Sequence, residues 1–345
     1  MLAERHRVLA PESLDLTLDA AVTGMAFLDG DVLALGCGDG TVRLVSPEGE
    51  SIPVQAHRDG SAVLALVPDI DGAAVLTGGD DGRLVRTGAD DRPVPLLEAS
   101  GLQIDVVATT GVGGLRAVAL GREVRLIDRA GTATVSASGH PSTVTGLAFN
   151  PKGKRLAASH YGGATLWWGG AFGQSPKRLD WRGSHIGVSW SPDGSTVMTA
   201  MQESALHGWR VADGKDMQMT GYAAKVRSMD WLAKPMVLAT AGADCVVAWS
   251  FAGSGPMGKP PIEIGRGIGR LVTSVAVHPG RPLVAAGFDD GRVALCEMAG
   301  DRTVRLRPGD GGHISALAWS RDGLRLAAGT DAGAVSVFDL AKGAA

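Results

Sequence analysis

The chain has 345 residues, 45% of them hydrophobic and 20% charged, with a formal charge of −3. That balance excludes a disordered chain and gives no global electrostatic footprint for nucleic acid or an anionic membrane. Glycine is the anomaly, with 50 residues alongside 17 prolines, and its lack of a three-residue period excludes a collagen-like helix.

From the N-terminus, the first ten residues carry charges with no apolar stretch behind them, a poor secretory signal. Ser13–Asp19 alternates leucines at 14, 16 and 18 with polar residues and predicts a strand with one wet face. From Val22 a unit begins that recurs along the chain: an apolar run, a glycine turn, a second apolar run, a small turn and a third run. Runs start at Val22, Ala62, Asp105, Val144, Ile186, Val226, Val272 and Ile314, spaced 39 to 46 residues apart. The first-turn glycines keep the same period at Gly30, Gly72, Gly114, Gly153, Gly194, Gly280 and Gly323, and Ala233-Lys-Pro235 replaces one turn. The clearest copies are Val144–Phe149 with Asn150-Pro-Lys-Gly153, and Ile314–Trp319 with Ser320-Arg-Asp-Gly323.

Each run is too short for a helix and is bounded by turn residues, so each is a strand. Asp39-Gly40, Asp81-Gly82 and Asp290-Gly291 suit tight hairpins. Second runs such as Val32–Leu35 and Leu283–Ala286 are continuously apolar and predict burial on both faces, whereas Thr303-Val-Arg-Leu-Arg307 alternates. The expected fold is all-β: a single β-propeller of eight four-stranded blades, with seven as the alternative count. Ser13–Asp19 is expected to pair with Val335–Phe338 and complete the last blade. The whole chain, 1–345, reads as one domain, with a long loop at 251–261.

The repeats resemble the WD-repeat (Trp-Asp) β-propeller family over nearly the whole chain. Gly139-His140, Ser191-Pro-Asp-Gly194, Ser320-Arg-Asp-Gly323, Asp290-Gly291 and Phe338-Asp339 match pieces of its blade motif, and Trp167, Trp209 and Trp249 take the Trp position. The resemblance implies a buried His, Ser/Thr, Asp and Trp tetrad in a blade. Here the tetrad is degenerate: His140, Ser159 and Trp167 are present, but Tyr161 stands where the Asp belongs. The Gly/Ala/Arg-rich composition suggests a bacterial source, and the chain reads as a degenerate, bacterial-type member.

Motifs that look chemical have plainer readings. Gly253–Lys259 matches the spacing of a phosphate-binding loop, but Pro260-Pro261 and a strand follow where Ser/Thr and a helix are needed. Gly265-Arg-Gly-Ile-Gly269 also precedes a strand. The acidic residues Asp39, Asp80, Asp81, Asp289, Asp290 and Asp331 fall at hairpin positions and read as turn-formers. Cys37, Cys245 and Cys296 sit in apolar runs and read as buried free thiols, which fits a cytoplasmic location. No nucleophile elbow or metal-ligand motif is present.

These features point to a non-enzymatic scaffold with no cofactor, binding a protein or peptide partner and neither nucleic acid nor membrane. In the resembled family the usual docking face carries the blade starts and second turns. On this chain that implies His140, His160, Tyr161, His185, Gln202, Glu203, Lys225, Asp244, Arg270, Phe288, Asp289 and His313 as partner-binding residues. Tyr161 and Phe288 are the expected exposed aromatic anchors. The alternative is a small-molecule or zinc site, possibly enzymatic, at the channel mouth, where His140, His160, His185 and His313 would gather. Nucleic-acid binding through Arg122, Arg125 and Arg129 or Arg302, Arg305 and Arg307 is disfavoured, because alternating strand positions make these a solvated face.

Overall fold

The computed structural model describes residues 6–8, 12–253, 255–300, 302–309 and 311–341. Ser254, within the expected 251–261 loop, lies outside the described residues, as does 342–345. Strands and short 3-10 turns are the only regular elements among the described residues. They group into two compact units, Leu28–Gly221 and Met1–Phe27 with Tyr222–Ala345.

The expected eight separate blades are overturned, because the described strands form seven hydrogen-bonded sheets. The cause lies in the fourth and fifth repeats. Arg155–Trp168 and Lys177–Trp190 each continue for 14 residues, and Tyr161 pairs with Ser184 where the second turn was expected. Six strands, from Gly146–Phe149 to Asp216–Met219, therefore belong to one sheet. Gly163 makes this continuity possible: its φ is +132°, and a Cβ there would lie 2.0 Å from the Leu179 carbonyl oxygen. Another sheet has five strands, because His6–Val8 pairs in parallel with Thr303–Arg307.

Glu12–Thr17 is hydrogen-bonded antiparallel to Ala334–Asp339, from Glu12 opposite Asp339 to Thr17 opposite Ala334. Its leucines behave as their alternation predicts: Leu14 and Leu16 are half-buried while Ser13, Asp15 and Thr17 are exposed. Thus the outer strand of the last repeat comes from the other end of the chain.

Second runs are buried throughout, as in Leu33–Cys37, Ala74–Gly79 and Thr196–Met201. Their apolar side chains interlock with the next sheet. In Leu28–Gly221, Leu76, Leu84 and Ile104 pack against Val118, Leu120 and Ile127. In the other unit, Val284, Ala286 and Phe288 join Val246, Ala248 and Val272. Six of the seven first-turn glycines have positive φ, between 64° and 77°. Gly280 does not, and there the His278 Nδ1 accepts from the Gly280 and Arg281 amides instead.

First runs begin with a β-bulge in several repeats, as between Val272 and Ser274 and between Ile314 and Ala316. The bulged residues carry hydroxyls that tie neighbouring sheets together. Thr273 Oγ1 donates to the Ile314 carbonyl at 2.7 Å, and Ser315 Oγ donates to the Val22 carbonyl at 2.6 Å. In the other unit, Thr145 Oγ1 likewise donates to the His185 carbonyl, there joining two repeats within the six-stranded sheet.

Candidate interaction site

Histidine and tryptophan side chains are positioned at the ends of the strands, and their hydrogen bonds decide which are free to meet a ligand. Trp167 Nε1 donates to His140 Nε2 at 3.0 Å, and His140 Nδ1 donates to the Arg122 carbonyl at 2.9 Å. His140 is 1% exposed, and burial pushes its pKa down, so it is neutral at pH 7. Ser159, the expected third member, instead approaches Thr145. His160 pairs separately with Thr165 at 2.8 Å and with the Tyr161 carbonyl at 2.9 Å. His185 is held by Thr199 at 2.7 Å and the Trp181 carbonyl at 3.1 Å. Burial lowers the pKa of both.

Sequence reasoning missed two further networks. His57 Nδ1 lies 2.9 Å from Asp81 Oδ1, and its Nε2 lies 3.0 Å from Thr77 Oγ1. Burial alone would raise the Asp81 pKa, but bonds from the Arg58 amide, His57 and the Arg83 amide hold it below the usual carboxylate range. Thr87 occupies the Trp position of that repeat, and its buried hydroxyl has no partner among the described residues. In the other unit Tyr222 replaces the histidine: Trp249 Nε1 donates to its hydroxyl at 2.7 Å, which lies 2.8 Å from Thr240 Oγ1. The spacing of 27 residues to the Trp is the same for His140 and Tyr222 and was the available signal.

A third network is wholly charged. Asp69 is enclosed, and its carboxylate accepts from Arg116 Nε at 2.7 Å, Arg116 Nη2 at 2.8 Å and Arg86 Nε at 2.8 Å. Burial raises its pKa, but the Arg116 guanidinium, the Ile70 amide and Arg86 more than reverse this.

The expected partner-binding residues therefore divide. His140, His160 and His185 are buried and engaged in the structure. Phe288, expected as an exposed anchor, is corrected: it is 1% exposed, because it closes a second run buried from Val284 onward and packs in the core. Tyr161 is 55% exposed. It stands opposite Ser184, whose carbonyl accepts from the Gln202 amide and whose amide donates to Glu203 Oε1. Tyr161, Gln202 and Glu203 are thus brought together and are exposed.

In the other unit Asp244, Arg270 and His313 are exposed, while Lys225 and Asp289 are half-buried. Arg270 pairs with Asp290 at 3.1 Å, and His313 with Asp331 at 2.9 Å. The hairpin carboxylates do turn work: Asp39 accepts from the Thr41 amide and hydroxyl, and Asp80 from the Ala62 amide. Lys259 Nζ donates to the Ala252 carbonyl, inside its own loop.

Among the described residues no group of three or more His, Cys, Asp or Glu side chains is arranged to hold a metal ion. No described helix is long and apolar enough to cross a membrane.

Residues 275–345 match the family model of the anaphase-promoting complex subunit 4 WD40 domain, and residues 131–168 match that of the WD domain, G-beta repeat. No curated protein matches the chain in sequence. Among solved structures, the computationally designed Ika8 protein is similar over 97% of this chain and 99% of its own, at 17% identity and a TM-score of 0.76. The C-terminal WD40 domain of Sif2 is similar over 97% of this chain and 99% of its own, at 15% identity and a TM-score of 0.75. A chain of the mitotic checkpoint complex aligns over 98% of this chain and 94% of its own, at 14% identity and a TM-score of 0.64. With WD repeats matched in two segments and a shared fold along nearly its full length, the chain is a WD-repeat β-propeller.

Proposed function

We propose that the chain, acting as one domain of residues 1–345, is a non-enzymatic scaffold that binds a protein partner. The observation that carries this reading is the exposed Tyr161 beside Gln202 and Glu203. A tyrosine in water, held at its amide by Ser142 Oγ at 2.8 Å, presents apolar area at little entropic cost. The matched WD40 domain of an anaphase-promoting complex subunit and the neighbour from the mitotic checkpoint complex are both parts of assemblies, which supports a similar role. Asp244, Arg270 and His313, with the half-buried Lys225 and Asp289, are the remaining candidate contacts. The buried His140, His160 and His185 brace the segments around Tyr161 within Leu28–Gly221 rather than touching the partner. The test is affinity capture from the native cell, followed by quantitative mass spectrometry, with wild type and Tyr161→Ala. A partner retained by the wild type and depleted at least tenfold with Tyr161→Ala is expected. Equal capture by a folded Tyr161→Ala variant refutes the assignment.

A further inference from the structure

Trp168 ends the strand Arg155–Trp168 and is 48% exposed. The corresponding residue in the other repeats, directly after the Trp position, is Ser46, Gly88, Asp128, Arg210, Ser250, Glu297 or Asp339. Seven repeats thus place a polar residue or glycine at this point, and one places an indole. Core packing does not call for it, because the adjacent Trp167 is 3% exposed and already fills the core.

The surroundings of Trp168 depart from the repeat in the same direction. In four of the other repeats the residue before the first-turn glycine is an aspartate (Asp29, Asp71, Asp193 and Asp322), and three of these cap the turn: Asp71 accepts from the Ala73 amide, Asp193 from the Ser195 amide and Asp322 from the Leu324 amide. Here that position is Lys152. Asn150 Oδ1 takes over the capping by accepting from the Lys154 and Arg155 amides at 2.8 and 2.9 Å. The turn keeps its hydrogen bonds while a carboxylate is exchanged for an ammonium group.

The Arg155 guanidinium lies over the indole, 5.1 Å from the ring centroid. Gly169, next to the indole, donates its amide to the Lys154 carbonyl at 2.8 Å. Val112, 56% exposed, lies against Gly153, where a Cβ would be 2.5 Å from the valine carbonyl oxygen. The result is one strip with two exposed apolar side chains, the exposed Lys152 and Lys154 and the half-buried Arg155, with no carboxylate paired to these cations among the described residues, all within Leu28–Gly221.

We propose that this strip is a second docking surface, distinct from the Tyr161 patch, and that it takes an acidic peptide segment carrying a large apolar side chain. The apolar residue rests on Trp168 and Val112, and the flanking carboxylates meet Lys152, Lys154 and Arg155. The second exposed apolar residue is the aliphatic Val112, which adds contact area for an apolar side chain but no ring on which a second base could stack, and this favours a peptide over single-stranded nucleic acid.

The test is a random dodecapeptide phage library panned against the full chain. The synthesised winners are then measured by fluorescence anisotropy against wild type, Trp168→Ser, Lys152→Glu with Lys154→Glu, and Tyr161→Ala. Thermal melts confirm that the variants fold, as expected for exposed positions. The expected winners are net negative with at least one aromatic or large aliphatic residue. Both Trp168→Ser and the double charge reversal should weaken them at least tenfold, and Tyr161→Ala should not. Winners without acidic residues, affinities unchanged in the Trp168 and lysine variants, or dependence on Tyr161 alone would overturn the proposal. So would a twelve-nucleotide oligo-dT that binds more tightly than the peptides and in a Trp168-dependent way.

Discussion

Replacing Asp69 by alanine should cost more stability than any surface substitution in the molecule. The carboxylate is fully enclosed and accepts three charge-assisted hydrogen bonds, two from Arg116, whose side chain is 3% exposed. Without Asp69, the Arg116 guanidinium keeps only the Asp128 carbonyl, 2.5 Å from Nη1, and stays buried with its charge uncompensated. Removing one partner from such a pair costs about 3–5 kcal/mol. Arg86→Ala is the internal comparison. Arg86 is 29% exposed and shares its guanidinium with Asp71, so its loss should cost under about 1 kcal/mol. Asp69→Leu combined with Arg116→Met removes both charges and should recover most of the loss.

The sign of the pH dependence follows from the pKa of Asp69, which lies below its unfolded value of about 3.9. The contribution is therefore complete above that value and is lost as pH falls through the folded pKa. Wild type and Asp69→Ala should converge in acid. Urea titration followed by tryptophan fluorescence, at constant salt, measures all four proteins. A loss below about 1 kcal/mol for Asp69→Ala at pH 7, or a difference unchanged in acid, refutes the reasoning.

Tyr222→Phe removes the hydroxyl between Trp249 and Thr240 and leaves the indole N–H unsatisfied, which should destabilise by about 1–3 kcal/mol in the same titration. His207 is fully buried and stacked on Trp181 at 3.9 Å; among the described residues neither ring nitrogen has a hydrogen-bond partner, and Asp216 Oδ2 stands 3.5 Å from Nε2. Burial pushes its pKa down to about 4, with Asp216 opposing the shift. Because that value lies below the unfolded one, stability should fall as pH drops from about 6.5 towards 4, by up to about 3 kcal/mol. His207→Phe should flatten that limb and cost little at pH 7, which melts from pH 4 to 8 would check.

The repeat period was legible because a tight turn needs a residue that accepts positive φ, and glycine advertises the position, as Gly194 and Gly323 show. The partnership of Glu12–Thr17 with Ala334–Asp339 was legible from the alternating leucines and the missing outer strand. The sheet count was not, because it turns on whether Tyr161 meets Ser184, a matter of register that local hydrophobicity does not record. Phe288 was misread because it adjoins a hairpin, and only tertiary packing decides whether a residue beside a turn faces in or out. Nothing in the sequence singled out Arg116, one charged residue in the apolar run Leu115–Leu120. Its partner lies 47 residues away, and nothing near either residue announces the other.

Pairing between the two ends of the chain also sets an order of events during synthesis. Ser336 Oγ bonds Asp15 Oδ1 across a sequence separation of 321 residues. At about 5–20 residues per second, Glu12–Thr17 waits roughly 16–64 s for its partner to be made. Throughout that interval Leu14 and Leu16 have no sheet to cover them. The nascent chain therefore carries an unpaired amphipathic strand until Ala334–Asp339 has been made and can pair with it.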